Sequence, residues 1–294
     1  MLPPTPLPMR PKLREWLITA CVTSLVTLLL WLGIANLRDP HYSPDFMAGL
    51  NHLEAKEGQQ ALDLFKHAMK ANPSNPDPYQ TICNTAERTK QWPVLVFYAK
   101  AALQNCPQAP PETRLEFYQD LATGLLETRP AGWKAEALKA TLEMYKIAPE
   151  NPQVMNSYAY TLADASDDSK SLALAQDILT RALQTLSKMP DTDQVKSLRA
   201  MTQDSYGWTR CKQAAYPEAI EACHDAIDGL TPLEFNDESL KDEALKTVYY
   251  HLGVAQRRSK DLEGARSSLD RALALDANYK DAQDELAKLP VQKT

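Results

Sequence analysis

Glycine is scarce, with nine residues in 294. Hairpin-rich β folds draw on glycine for tight turns with positive φ, so this count argues against one. The five cysteines form no CxxC, and no HExxH or comparable ligand spacing occurs, which removes the usual zinc and dithiol sites. There is no phosphate-cradling loop, no glycine-rich dinucleotide turn and no Ser–His–Asp grouping. A basic excess is missing too. Net charge is −6, and Arg10, Lys12, Arg14 and Glu15 give residues 1–37 a charge of +2, which leaves −8 for the remainder. Nucleic acid binding needs clustered Lys and Arg to displace counterions, and no dense basic stripe is present.

What the chain does have is a helix-forming mixture. Ala, Leu, Glu, Lys, Gln and Asp dominate after residue 44. Hydrophobic residues make up 44%, enough for a buried core, and 21 prolines punctuate the chain. The expected class is all-α.

One long apolar run stands near the start. Trp16 to Leu37 is 22 residues without a charge, and about 20 apolar residues span a bilayer core. Trp16 and Trp31 lie towards its ends, where amphipathic rings favour the interface. The basic, proline-rich residues 1–15 precede it, and Arg38 and Asp39 cancel after it. The positive-inside rule then puts residues 1–15 in the cytoplasm, 16–37 in the cytoplasmic membrane as a single-pass anchor, and the rest outside. A cleaved signal is the main alternative, with small residues at Gly33 and Ala35, but the run exceeds the usual signal core. A lipobox-like Ile18–Cys21 stands at the wrong end of the run, and a buried soluble helix fits poorly with its length and basic flank. Residues 38–45 read as a short extended linker held by two prolines.

The rest is periodic. Gly49, Ala61, Phe65, Ala68 and Pro73 are spaced by 12, 4, 3 and 5 residues. Gly253, Ala265, Leu269, Ala272 and Ala277 repeat those gaps, and Gly207, Ala219, Cys223 and Ala226 repeat the first three. Small residues at the Gly and Ala positions let two antiparallel helices approach, the larger one fills the space between hairpins, and the proline ends the second helix. Such hairpins bury their apolar faces by stacking on neighbours. The pattern resembles the tetratricopeptide repeat, a unit of about 34 residues. About six copies fit roughly residues 44–279, and with Tyr279–Leu289 as a terminal capping helix the solenoid domain spans 46–289, followed by 290–294 as a tail. The second copy departs at Cys83 and Leu95; the third keeps Gly124, Ala137 and Pro149 with an extra residue in its turn; the fourth keeps Ala159, Ala175, Leu179 and Ala182 with a longer turn. Residues 184–204 and 228–246 exceed a tight connection and extend helices or form loops.

The stretch Ser205–Ile227 holds Cys211, Cys223, His224 and Asp225. Adjacent residues on a helix point about 100° apart, so Cys223 and His224 cannot face one partner. Cys223 fills the slot of Phe65 and Leu269, which makes it a small core hydrophobe. A Cys211–Cys223 disulfide stays open as a minority reading in an oxidising compartment. His41, His52, His67, His224 and His251 are scattered, and surface or packed roles are their default.

The resemblance implies a right-handed superhelix whose concave groove, lined by first helices, binds peptides or protein surfaces. By register, the groove residues are Asn84, Arg88, Asn156, Tyr160, Trp208, Lys212, Tyr250, Arg257 and Arg258, joined by Gln80, Glu87 and Asp204. Tyr, Trp and Arg are the usual interface anchors, while core packing is the competing role for Tyr160 and Trp208. The Lys/Asn/Arg clamp that some family members use for chaperone tails is missing, with Phe46 and Leu50 in the first repeat. The expected function is a membrane-anchored interaction scaffold at the outer face of a bacterial cytoplasmic membrane, in envelope assembly, secretion or chaperoning. It needs no cofactor or metal and binds no nucleic acid. Alternatives are a self-associating structural protein, a protein secreted after cleavage near Ala35, and a eukaryotic organelle receptor of reversed topology. No clustered site points to an enzyme.

Overall fold

The computed structural model describes residues 43–55, 57–234 and 238–290. Among them there are thirteen helices and no strands. They are α1 (Pro44–Glu54), α2 (Gly58–Ala71), α3 (Asp77–Arg88), α4 (Trp92–Asn105), α5 (Pro111–Thr128), α6 (Trp133–Ile147), α7 (Pro152–Ala165), α8 (Ser169–Leu186), α9 (Asp193–Lys212), α10 (Tyr216–Leu230), α11 (Glu238–Arg258), α12 (Leu262–Leu275) and α13 (Lys280–Leu286). Six successive hairpins and a short final helix result, as the repeat spacing predicts. The anchor expected at 16–37, the segment before it and the tail from 291 lie outside the described residues. Among the described residues no helix is long and apolar enough to cross a membrane.

Prolines mark both ends of the helices. Pro44, Pro93, Pro111, Pro152 and Pro217 sit in first turns, where a missing N–H costs nothing. Pro73, Pro107 and Pro149 lie two residues beyond the ends of α2, α4 and α6. Side chains cap several N-termini: Asp168 accepts from the backbone N–H groups of Lys170 and Ser171 at 3.0 Å, and Asp261 from Gly264 at 2.9 Å. Three of the turns inside the hairpins are made without glycine, whereas Gly132, φ 77°, caps α6 in the α5–α6 turn. Lys90, Ala214 and Lys260 take left-handed φ of 54°, 61° and 75° between α3 and α4, α9 and α10, and α11 and α12. There the backbone N–H of Gln91, Ala215 and Asp261 donates to the carbonyl five residues back, closing each first helix.

The chain divides into two compact units at Pro78/Tyr79. In the first, Phe46 and Phe65 pack with ring centroids 5.6 Å apart, and a Cβ at Gly49 would meet Phe65 Cε1 at 2.5 Å. In the second, the helices from α4 onward each pack on their chain neighbours, and α9 also touches both α7 and α11, so that the three form a layer of first helices. Its core includes Met155, Ala159, Leu172, Ala175, Leu179 and Ala182 between α7 and α8, and Cys223, Ala226, Leu230, Val248 and Leu252 between α10 and α11. The repeat's larger residue, expected to fill the space between hairpins, sits against the glycine of its own hairpin: a Cβ at Gly207 would lie 3.2 Å from Cys223 Sγ, and one at Gly253 would lie 2.7 Å from Leu269 Cγ. Gly124 departs from that scheme. A Cβ there would meet Val96 Cγ2 at 2.6 Å, on α4 of the preceding hairpin. The residue twelve before Ala137 is the fully buried Leu125. The α5–α6 turn, residues 129–132, is one residue longer than those at 89–91, 213–215 and 259–261, as expected for the third copy, whereas the α7–α8 turn, residues 166–168, is no longer than these, so the longer turn expected in the fourth copy is absent. The long connections before α9 and α11 extend these helices at their N-termini, to 20 and 21 residues.

Candidate functional site

The first helices of the second unit bring a column of aromatic rings together. Trp208 on α9 stacks on His251 of α11 with centroids 4.5 Å apart and planes at 21°. Tyr160 on α7 lies 6.0 Å from His251, and Tyr250 lies 6.2 Å from Trp208. Tyr279, just before α13, meets Tyr250 edge-on at 5.5 Å. The histidine is fixed beneath the stack, with Nδ1 2.9 Å from Asp204 Oδ1, and both residues are buried. Burial pushes the hydroxyls of Tyr160, Tyr250 and Tyr279 up, so these phenols stay neutral, amphipathic groups.

Two polar atoms in this layer have no hydrogen-bond partner: Trp208 Nε1 and Asn156 Oδ1, both buried. A buried unpaired donor or acceptor costs about 1–3 kcal/mol, and native proteins rarely carry one without a reason.

Charges surround the column in intramolecular pairs. Lys212 holds Asp167 at 2.6 Å, Lys134 holds Asp164 at 3.0 Å, and Arg257 bonds to Glu285. Burial pushes the Glu285 carboxyl up, but hydrogen bonds from Lys288 and Arg257 outweigh it and hold the group below the usual range. Arg258, exposed, reaches Cys211 Sγ at 3.9 Å. Arg129, in the turn after α5, pairs with Asp281 on α13.

Of the residues expected in the groove, Tyr160, Trp208 and Tyr250 come together, with Lys212, Arg257 and Arg258 belonging to the same helices, α9 and α11. Trp208 and Asn156 depart from groove exposure, at 7% and 9% exposed. The first helices approach closely enough for the rings to fill the space between them. Asn84 and Arg88 are exposed on α3, two hairpins earlier. Sequence reasoning missed His251, Tyr279, Arg129 and Asp281; the pairing of Arg129 with Asp281, 152 residues apart, has no local signal. Cys83, Cys211 and Cys223 are buried free thiols, so no Cys211–Cys223 bridge is present, and Cys106 is buried as well. Among the described residues no group of three His, Cys, Asp or Glu could hold a metal.

The helices before the column carry a different lining. Gln80 donates to Glu116 at 2.6 Å. Asp120 is pushed up to about 7 by burial and by the nearby charges of Glu87 and Glu116, against a hydrogen bond from the Cys83 thiol. A carboxyl raised in the native state keeps a proton that the unfolded chain has already released, so this group lowers stability as pH rises from about 4 to about 7. Asp120→Asn is expected to remove that loss. Its unfolding free energy from urea titration should match the parent's at pH 4 and exceed it at pH 7.5 by about 1–3 kcal/mol, after allowance for partial solvent access. Equal midpoints at both pH values would contradict this.

A separate cleft of about 560 Å³ opens between the α8–α9 connection and the end of α10, lined by Leu183, Ala200, Gly229 and Leu233. Its charges pair among themselves, Arg199 with Asp191 at 3.4 Å and Lys196 with Asp193 at 3.4 Å.

No family model and no curated protein sequence matches the chain. Solved structures do. The APC/C hetero-tetramer Cut9–Hcn1 matches with a TM-score of 0.54 at 17% identity, over 89% of this chain and 45% of that one, so the chain spans less than half of that structure's length. The apo form of RapI matches at 0.52 and 14% identity, covering 83% of this chain and 94% of that one. A tetratricopeptide repeat protein from Parabacteroides merdae matches at 0.50 and 12% identity, over 84% and 98%. Identities this low speak for fold alone.

Proposed function

We infer that this tetratricopeptide-repeat-like helical solenoid is a scaffold for protein interaction. We propose that this chain is a non-enzymatic adaptor that holds a segment of a partner protein against the first helices of its second unit. The observation that carries this reading is the aromatic column with its unpartnered donor and acceptor, Trp208 Nε1 and Asn156 Oδ1. Aromatic rings with a polar edge and adjacent arginines are the residue types that dominate interface energetics. The sequence adds a location: the uncharged run 16–37 anchors the adaptor in the cytoplasmic membrane, with the solenoid on the far side. Envelope assembly, secretion or chaperoning are the roles such a placement suits.

A photo-crosslinker at Arg258, beside the column, tests the site; one at Phe97 on α4, which is 63% exposed, is the control. The full-length protein in intact spheroplasts should yield one dominant adduct from the first position and none from the second. Tyr160→Ala should weaken binding of the partner so identified about tenfold or more. Equal labelling from both positions, or a homodimer as the only adduct, would overturn the groove reading. Digestion of a C-terminal tag by external protease tests the orientation.

A further inference from the structure

The second unit closes on itself across its own groove. Solenoid hairpins ordinarily touch only their neighbours. Here the turn after α5 reaches the last helix: Arg129 pairs with Asp281, 152 residues on, and its charge is felt by Tyr160 and Tyr279. Glu127, two residues earlier, lies within electrostatic reach of Glu243 and Lys246 on α11. Arg129 holds this position from a left-handed backbone, φ 45°, which a long side chain rarely adopts. A further hydrogen bond from its Nε to the Leu126 carbonyl at 3.2 Å and the Trp133 ring 5.7 Å away steady the guanidinium. Beneath the bridge lie the half-buried rings of Tyr160, Tyr250 and Tyr279, then Trp208 with its unpartnered Nε1.

We propose that Arg129 and Asp281 form a latch that keeps the aromatic column covered, so that a partner segment gains the groove only when this ion pair opens. For its biological meaning the inference rests on the groove reading above; its test does not. Both side chains are partly exposed, 48% and 33%, so the pair is one that salt and a competing charge can break. A partner segment carrying a carboxylate for Arg129 or a cation for Asp281 would replace the bond it breaks, which makes a charged segment the fitting ligand.

Hydroxyl-radical footprinting of the full-length protein without any partner reads the latch directly. Arg129→Ala and Asp281→Ala should each raise oxidation of Tyr250 and Tyr279 about threefold, with Tyr118 and Tyr145 unchanged as internal references. The double variant should do no more than either single one, because both remove the same bond. Salt at 0.5 M should raise oxidation in the parent and not in the variants. Unchanged oxidation, or effects that add, would overturn the latch. If the latch behaves as expected and yet no variant shows faster crosslinking of a partner at Arg258, the latch stands and the groove reading fails. A general rise that includes Tyr118 and Tyr145 would mean loss of packing and would also count against a latch.

Discussion

His251→Ala is expected to destabilise the second unit by about 3–5 kcal/mol. The reason is the partner left behind. Asp204 is 6% exposed, and both of its carboxylate oxygens lie within 3.0 Å of His251 Nδ1. Removing the imidazole strands a carboxylate in a low-dielectric layer and takes away the stack against Trp208. The double variant His251→Ala/Asp204→Ala should cost less than the sum of the singles by at least about 1 kcal/mol, since no stranded group remains. Asp204→Asn, which keeps an acceptor for the ring, should be milder than Asp204→Ala. Chemical denaturation followed by far-UV circular dichroism gives all four values. A single-variant cost below about 1 kcal/mol would show that water reaches Asp204 once the ring is gone.

Leu269→Ala carries the second large effect, about 2–5 kcal/mol. Leu269 is fully buried on α12 and fills the space over Gly253. The truncation opens a cavity in the last hairpin, where Ala265, Ala272 and Ala282 offer little to collapse into it. Gly253→Ala alone should also destabilise, because its new Cβ would stand 2.7 Å from Leu269 Cγ and 3.3 Å from the Ala265 carbonyl. Combined, the two changes relieve each other: the added methyl enters the space the leucine vacates. The double variant should be more stable than Leu269→Ala, helped by the helix preference of alanine over glycine, about 1 kcal/mol. Hydrogen exchange should show the Leu269→Ala loss first in α12 and α13, since hairpins of a solenoid lean mainly on their neighbours. Uniform loss of protection back to α5 would instead mark the second unit as one cooperative block.

Much of the architecture was legible in the sequence because it rests on spacing. Small residues at Gly207 and Gly253 let the two helices of a hairpin approach, as the spacing predicts, and the larger residue sixteen positions on meets that glycine within the hairpin. The buried state of Cys223 followed from the same slot. Gly124 misled because a glycine reports only that something comes close, not from which side; the neighbour here is Val96 on the preceding hairpin. Three hairpin turns gave no glycine signal, since Lys90, Ala214 and Lys260 bear the left-handed strain themselves; only Gly132 in the α5–α6 turn did. Within the site, the register located Tyr160, Trp208 and Tyr250 but not the burial of Trp208, which depends on how tightly α7, α9 and α11 approach. The pairing of His251 with Asp204 joins different repeats, and a pattern repeated within each hairpin cannot encode it.

The bridge between Arg129 and Asp281 also bears on the order of assembly. A stack in which every hairpin leans on the next can nucleate at any repeat and grow in either direction, because each step closes only a short loop. A contact between residues 152 apart obeys a different rule. It has no partner to meet until α6 to α12 have all docked, and a single missing hairpin displaces one end from the other. It is therefore the last native contact to form and the first to part, a checkpoint that reports completion of the stack while contributing little to the rate of building it.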